Sequence, residues 1–482
     1  MAALSGLKPE TVMEYFEALC SVPHGSGNTR RVSDLCVRFA RELGLKYRQE
    51  PCGNVILWKD GSTGYERSEP VILQGHLDMV CAKTDDCAKD MAAEGLDLRT
   101  DGEWVWADRT SLGGDNGIAV AMILAILADD ALPHPPIEAV FTVDEEVGMD
   151  GAFALDCSDL RGRRLLNLDS EDEGVFTVSC AGGARADCLL PGAQVPAEGW
   201  AGRVITLAGL RGGHSGTDID KGRANANALM GRVLLSALEA VPGLRLAALD
   251  GGEFDNVICS RCDAVVAVPA GQAEALDRFL RDFEAILKHE STGRDDGVTL
   301  TGIPRAVSAA CSAEDTARML RALAAMPQGV QAMSADFPGL VQTSLNLGVL
   351  RLEADGLHIA FSVRSSVASQ KEMLLQRLRA ITELAGGSMA VRSAYPGWQY
   401  DRDSKLRELV LDAYRAVTGR EGRVEAIHAG LECGLLIDKL PGLDAISLGP
   451  ELEGVHSVRE RLNVASTERV YALVCEILRR CK

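Results

Sequence analysis

The chain has 482 residues, 46% of them hydrophobic and 25% charged, with a formal net charge of −19. That length exceeds one ordinary core and predicts two domains of a globular protein. The acidic field excludes nucleic acid and anionic membrane as main partners. The N-terminal MAALSGLKPETVMEYFEALC has no basic segment leading into an apolar one, so no secretion signal is predicted. The 14 cysteines are scattered singly, which suits a reducing cytoplasm. Cys259 and Cys262 form a lone CxxC between alternating residues and are expected to be structural.

In chain order, TRRVSDLCVRFARELGL reads as a helix, followed by a short apolar run, Val71-Ile72-Leu73, in EPVILQGHLDMV. That run ends at Gln74, Gly75, His76 and Asp78. Next comes TSLGGDNGIAVAM, in which Gly113, Gly114 and Gly117 surround Asp115-Asn116 just before an apolar helix, GIAVAMILAILAD. Asp115 suits a helix N-cap, but three glycines also suit a sharply turned loop that makes a close approach. The helix is too short to span a bilayer. Val140-Phe141-Thr142-Val143 then stops at Asp144, Glu145 and Glu146, and RRLLNLDSEDEG stops at Asp169. Far downstream, helical LRELVLDAYRAVTG precedes LDAISLGPELEGVHSV, whose apolar run leads to His456.

Short buried strands alternating with helices predict an α/β domain with a mostly parallel sheet and helices on both faces. Ligands of such sheets gather outside the carboxyl ends of the strands, where these acids and histidines lie. Of the eight histidines, His76, His214, His428 and His456 stand in glycine-punctuated contexts. His24 reads as structural and His134, in a proline loop, as surface; His289 and His358 receive no role.

His76, Asp115, Glu146, Asp169 and His456 together offer two imidazoles and three carboxylates, a set suited to two divalent ions. Zinc is expected first, with manganese or cobalt as alternatives. Asp115 is the natural bridge between the ions. The Asp78 carboxylate is expected to accept the other N–H of His76 and fix its tautomer. Glu145, beside the ligand Glu146, is expected to remain free as a general base.

At these residues the chain resembles the co-catalytic di-zinc peptidases that include carboxypeptidase G and aminoacylase. The likeness is carried by QGHLDMV, LGGDNGIA, DEEVGM, LLNLDSEDEG, AGLRGGHSG, AIHAGLECG and GVHS, and it points to the aminoacyl-histidine dipeptidase branch. The resemblance implies one metal on His76 and Asp169, the other on Glu146 and His456, Asp115 between them and Glu145 as base. It also implies a cis peptide between Asp115 and Asn116. Glu451 and Val458 depart from the pattern around His456.

The fifth ligand arrives so late that an inserted α+β domain is expected. Residues 184–394 are expected to supply it, and the resemblance implies that they form a lid for substrate recognition and dimerisation; residues 1–183 with 395–482 are expected to form the catalytic domain. In the lid, His214 is expected to polarise the scissile carbonyl, Asn256 to donate a hydrogen bond there, and Arg364 to fork onto a substrate carboxylate. The resemblance implies a homodimer whose lid histidine acts across the interface. The expected activity is cytoplasmic hydrolysis of unblocked L-dipeptides, including Xaa-His. An N-acyl-amino-acid amidohydrolase and a non-catalytic metal-stabilised binding protein are the alternatives.

Overall fold

The computed structural model describes residues 3–482, which form two compact units. One comprises residues up to 179, 400–426 and 431–482; the other comprises 180–399 and 427–430.

In the first unit, strands β1 (Lys46–Gln49), β2 (Val55–Lys59), β3 (Val71–His76), β4 (Ile137–Thr142), β5 (Arg164–Asn167) and β6 (Val175–Cys180) join strands Arg423–Ile427 and Asp444–Ser447. The eight-stranded sheet has the order β1, β2, β4, β3, β5, Asp444–Ser447, β6, Arg423–Ile427. Its central four strands, β4, β3, β5 and Asp444–Ser447, run parallel. Every residue of β3 and β4 is buried, as expected of parallel strands covered on both faces. In this register His76 stands opposite Thr142, and Gln74 opposite Asn167. The residues just beyond β3, β4 and β5 therefore emerge along one edge of the sheet.

Helices α1 (Glu10–Cys20), α2 (Arg30–Glu42) and α3 (Gly114–Ala128) accompany this sheet. In α2, Val32, Leu35, Cys36 and Ala40 are buried at helical spacing. In α3 every residue from Asn116 to Leu127 is buried, which accounts for its apolar sequence. Asp115 and Asn116 have non-helical backbone angles, and the peptide between them is cis, as the resemblance implies. Helix Lys405–Thr418 begins under a Ser404 side-chain cap and ends at Gly419 in the left-handed conformation. Among the described residues no helix is long and apolar enough to cross a membrane.

The second unit is built on a nine-stranded antiparallel sheet. Its helices Ala226–Ala240, Ala273–Glu290, Ala313–Ala325 and Ala368–Leu384 bury their apolar sides in one core that includes Met230, Leu280, Leu320 and Leu374. Within this unit Cys259 and Cys262 are buried free thiols. One histidine departs from expectation. His134 is buried rather than at the surface, its Nδ1 2.7 Å from the Pro135 carbonyl. The proline loop folds its ring inward, which local sequence does not reveal.

Candidate metal centre

His76 is the last residue of β3, and Glu145 and Glu146 follow β4 within four residues. Asp169 stands two residues beyond β5, and Asp115 occupies the loop entering α3. The Asn116 side chain joins these pieces: Oδ1 accepts from the His76 backbone N–H at 3.1 Å, and Nδ2 donates to the Leu168 carbonyl at 2.8 Å. Gly75 is required beside it, because a Cβ there would meet Asn116 Oδ1 at 2.5 Å.

The two oxygens of Asp115 face different imidazoles. Oδ1 is 3.1 Å from His76 Nε2, and Oδ2 is 3.1 Å from His456 Nε2. Asp169 Oδ1 is 3.4 Å from His76 Nε2, and Glu146 Oε1 is 2.8 Å from His456 Nε2. Three donor groups result: His76–Asp115–Asp169 and Asp115–Glu146–His456, which share Asp115, and His76–Glu145–Glu146. Within each group the donor atoms lie within 4.8 Å of one another. Ligands on a tetrahedral ion with bonds near ~2.0–2.1 Å stand about 3.3 Å apart, so these mixed N and O donors fit divalent ions of the zinc class.

The electrostatics are those of carboxylates and imidazoles neutralising one another. Burial disfavours charge on His76, but Asp169, Asp115 and Asp78 outweigh it and hold its pKa well above the ordinary value. Hydrogen bonds that His456 donates to the Asp115 and Glu146 carboxylates raise its pKa to about 10. Asp115 is held well below the usual carboxylate range despite its burial, by His456 and His76. Glu145 is pushed up to about 9, chiefly by burial; His76 opposes the shift while Asp169, Glu432 and Glu146 add to it. Burial likewise lifts Asp169 to about 6 against the pull of His76.

Asp78 does something more specific than orienting His76. The nearest acceptor to His76 Nδ1 is the Asp78 backbone carbonyl at 3.0 Å, with the carboxylate at 3.4 Å. That carboxylate accepts from the backbone N–H groups of Glu145 at 3.0 Å and Glu146 at 3.3 Å, and from Ser26 Oγ at 2.8 Å. It therefore fixes the loop that carries both glutamates. Sequence reasoning missed Glu432, which is fully buried and accepts from Gln74 Nε2 at 2.5 Å and Thr142 Oγ1 at 2.8 Å. Its other oxygen, Oε1, is buried without a hydrogen-bond partner among the described residues. The only signal was its place in AIHAGLECG.

In the second unit, His214 pairs with Val257 in a two-residue ladder, and Ser215 N–H donates to the Asn256 carbonyl at 2.9 Å. The structure thus brings His214 and Asn256 together. Arg364 lies in strand Gly356–Ser365 opposite Ser344, its Nε buried and unpartnered among the described residues. Ser344 Oγ is 2.7 Å from His428 Nε2. Burial first, and then the Arg364 charge, lower the pKa of both His214 and His428, the latter to about 4.

The chain is 37% identical over 482 residues to the cytosol non-specific dipeptidase of Escherichia coli strain K12, covering 99% of each chain. The chain belongs to the cytosol non-specific dipeptidase family. Within that family, a crystal structure of aminoacylhistidine dipeptidase from Vibrio alginolyticus superposes with a TM-score of 0.92 at 36% identity, covering 99% of this chain and 98% of that one. The family model for the peptidase dimerisation domain matches residues 205–295, inside the second unit. An aminopeptidase of Bacillus cereus, at 14% identity and a TM-score of 0.57, shares the fold over 98% of this chain and 99% of its own.

Proposed function

We propose that this dipeptidase-family chain hydrolyses unblocked L-dipeptides, Xaa-His among them, at a centre of two divalent ions, zinc first. One observation carries the reading: a single carboxylate, Asp115, turns one oxygen to His76 and the other to His456, both at 3.1 Å. His76 and Asp169 would hold one ion, Glu146 and His456 the other, with Asp115 shared. Bound divalent ions supply Lewis acidity to a water and to the scissile carbonyl, and their charge offsets the burial that otherwise keeps Glu145 protonated. Glu145 takes the proton of the attacking water and returns it to the leaving amine. Asp78 holds Glu145 and Glu146 in place through their backbone N–H groups. His214 and Asn256 meet the carbonyl oxygen, and Arg364 pairs with the free carboxylate of the substrate.

Residues 1–183 and 395–482 form the catalytic domain in this reading, and 184–394 the recognition and dimerisation domain of a cytoplasmic homodimer. The match to a peptidase dimerisation domain supports the dimer. The test is a panel of free dipeptides and N-acetyl amino acids offered to metal-free protein reloaded with zinc, manganese or cobalt. Turnover of free dipeptides is expected. Preference for N-acetyl amino acids would replace the reading with an amidohydrolase, and turnover of neither would reject it.

A further inference from the structure

Glu460 is 3% exposed and has no cation partner among the described residues. Its carboxylate instead collects four consecutive backbone N–H groups. Oε2 accepts from Leu112 at 2.8 Å and Gly113 at 3.2 Å. Oε1 accepts from Gly114 at 2.8 Å and Asp115 at 3.3 Å. These residues form the loop that presents Asp115, and Glu460 stands four residues after His456. The backbone that carries Glu460 is itself anchored. Residues Arg461–Asn463 immediately after it pair with strand Trp104–Ala107, which leads into the same loop. One side chain thus fastens together two metal-ligand loops that are 341 positions apart between Asp115 and His456.

Successive N–H groups turned to one point make a site for an anion. The backbone here bends to make it: Gly113 has φ 65°, and a Cβ on Gly114 would meet the Leu452 side chain at 2.7 Å. Left empty, such a nest attracts the nearest carboxylate, and Asp115 is the carboxylate on that loop. Because Glu460 fills it, both oxygens of Asp115 remain free to face His76 and His456.

We infer that Glu460 is a positioning residue that maintains Asp115 as a two-sided ligand and sets the separation of the two metal sites. The inference rests on the dimetal reading above. Its experiment uses full-length wild type, Glu460→Gln and Glu460→Asp, each purified as folded protein by size exclusion. Metal affinity is measured by chelator competition, and the sites are compared through the visible spectrum of the cobalt(II)-loaded proteins. Glu460→Gln turns an NH₂ group towards N–H donors and so breaks half of the clamp. Metal affinity is expected to fall about 10–100-fold, as when other outer partners of metal ligands are removed, with an altered cobalt spectrum. Glu460→Asp, shorter by one methylene but still anionic, should fall between the two. A merely structural residue would lower the melting temperature of the metal-free protein while leaving affinity and spectrum of the folded protein unchanged. That outcome overturns the inference. If Glu460→Gln does not fold, the same titration of Glu460→Asp decides it, and wild-type affinity there also overturns it. Wild type that fails to take up two ions per chain would instead refute the dimetal reading itself.

Discussion

At the scale of single residues, adjacent carboxylates divide their work by environment. Glu146 faces His456 at 2.8 Å, whereas Glu145 is half-buried beside other acids, and desolvation first and those acids second raise it to about 9. Glu145→Ala should keep its metal and lose about 10²–10⁴-fold in kcat, the usual scale of a missing general base. Metal analysis and steady-state kinetics on one preparation check this; full activity with full metal would refute the assignment. His428 offers a pH test away from the ligands. Its folded pKa of about 4 lies below the ordinary 6.5, because burial and Arg364 disfavour its charge. The unfolded chain therefore takes up the proton first. Stability from this residue is complete above about 6.5 and is lost as pH falls through about 4, a difference of about 3 kcal/mol. In urea unfolding of metal-free protein, His428→Asn should lose correspondingly less stability than wild type between pH 7 and pH 4. Parallel curves would show that His428 is not the titrating group.

At the scale of elements, the centre depends on strands that end in step. Pairing of β3 with β4 and β5 aligns His76, the Glu145–Glu146 loop and Asp169, and Asn116 ties the ends of β3 and β5. Gly75 is the weak point of that joint. Gly75→Ala would drive a methyl against Asn116 Oδ1 and the Ala119 side chain, at 2.5 and 3.1 Å before any relaxation. Overpacking of this kind costs about 1–3 kcal/mol, and displacing Asn116 also leaves buried polar groups unpaired. A lower urea midpoint together with weaker metal retention is expected. A loss of stability with metal affinity intact would show that the joint does not control the centre.

At the scale of the whole molecule, the proposed dimer has a direct functional test. His214 and Glu145 belong to different compact units of the chain, and the peptidase dimerisation match falls in the unit of His214. If His214 acts across the dimer, mixing Glu145→Ala subunits with His214→Ala subunits restores activity. Each verified heterodimer then contains one intact composite site, so up to about half of the wild-type activity per dimer is expected. No recovery confines His214 to its own subunit or removes it from catalysis.

The parallel strands and the metal-ligand candidates were legible in the sequence because each arises from local chemistry. Apolar runs of strand length stopped at His76, Glu146 and Asp169, and glycines framed Asp115. A polar residue directly after one buried strand is usually a solvated turn, but several such strand ends in a single sheet point to a site. The supporting residues were not legible, because what they bind has no side-chain signature. Glu460 holds four backbone N–H groups, and Asp78 holds two as well as Ser26. A backbone donor is the same at every position, so only the fold decides which carboxylate reaches it. The burial of Glu432 and His134 was hidden for a related reason: one lies in a glycine-punctuated segment and the other in a proline loop, and packing from distant parts of the chain excludes water from both. Local sequence thus determined which carboxylates and imidazoles are the candidates to hold metal and move protons, and tertiary structure alone decided which backbone groups hold those side chains in place.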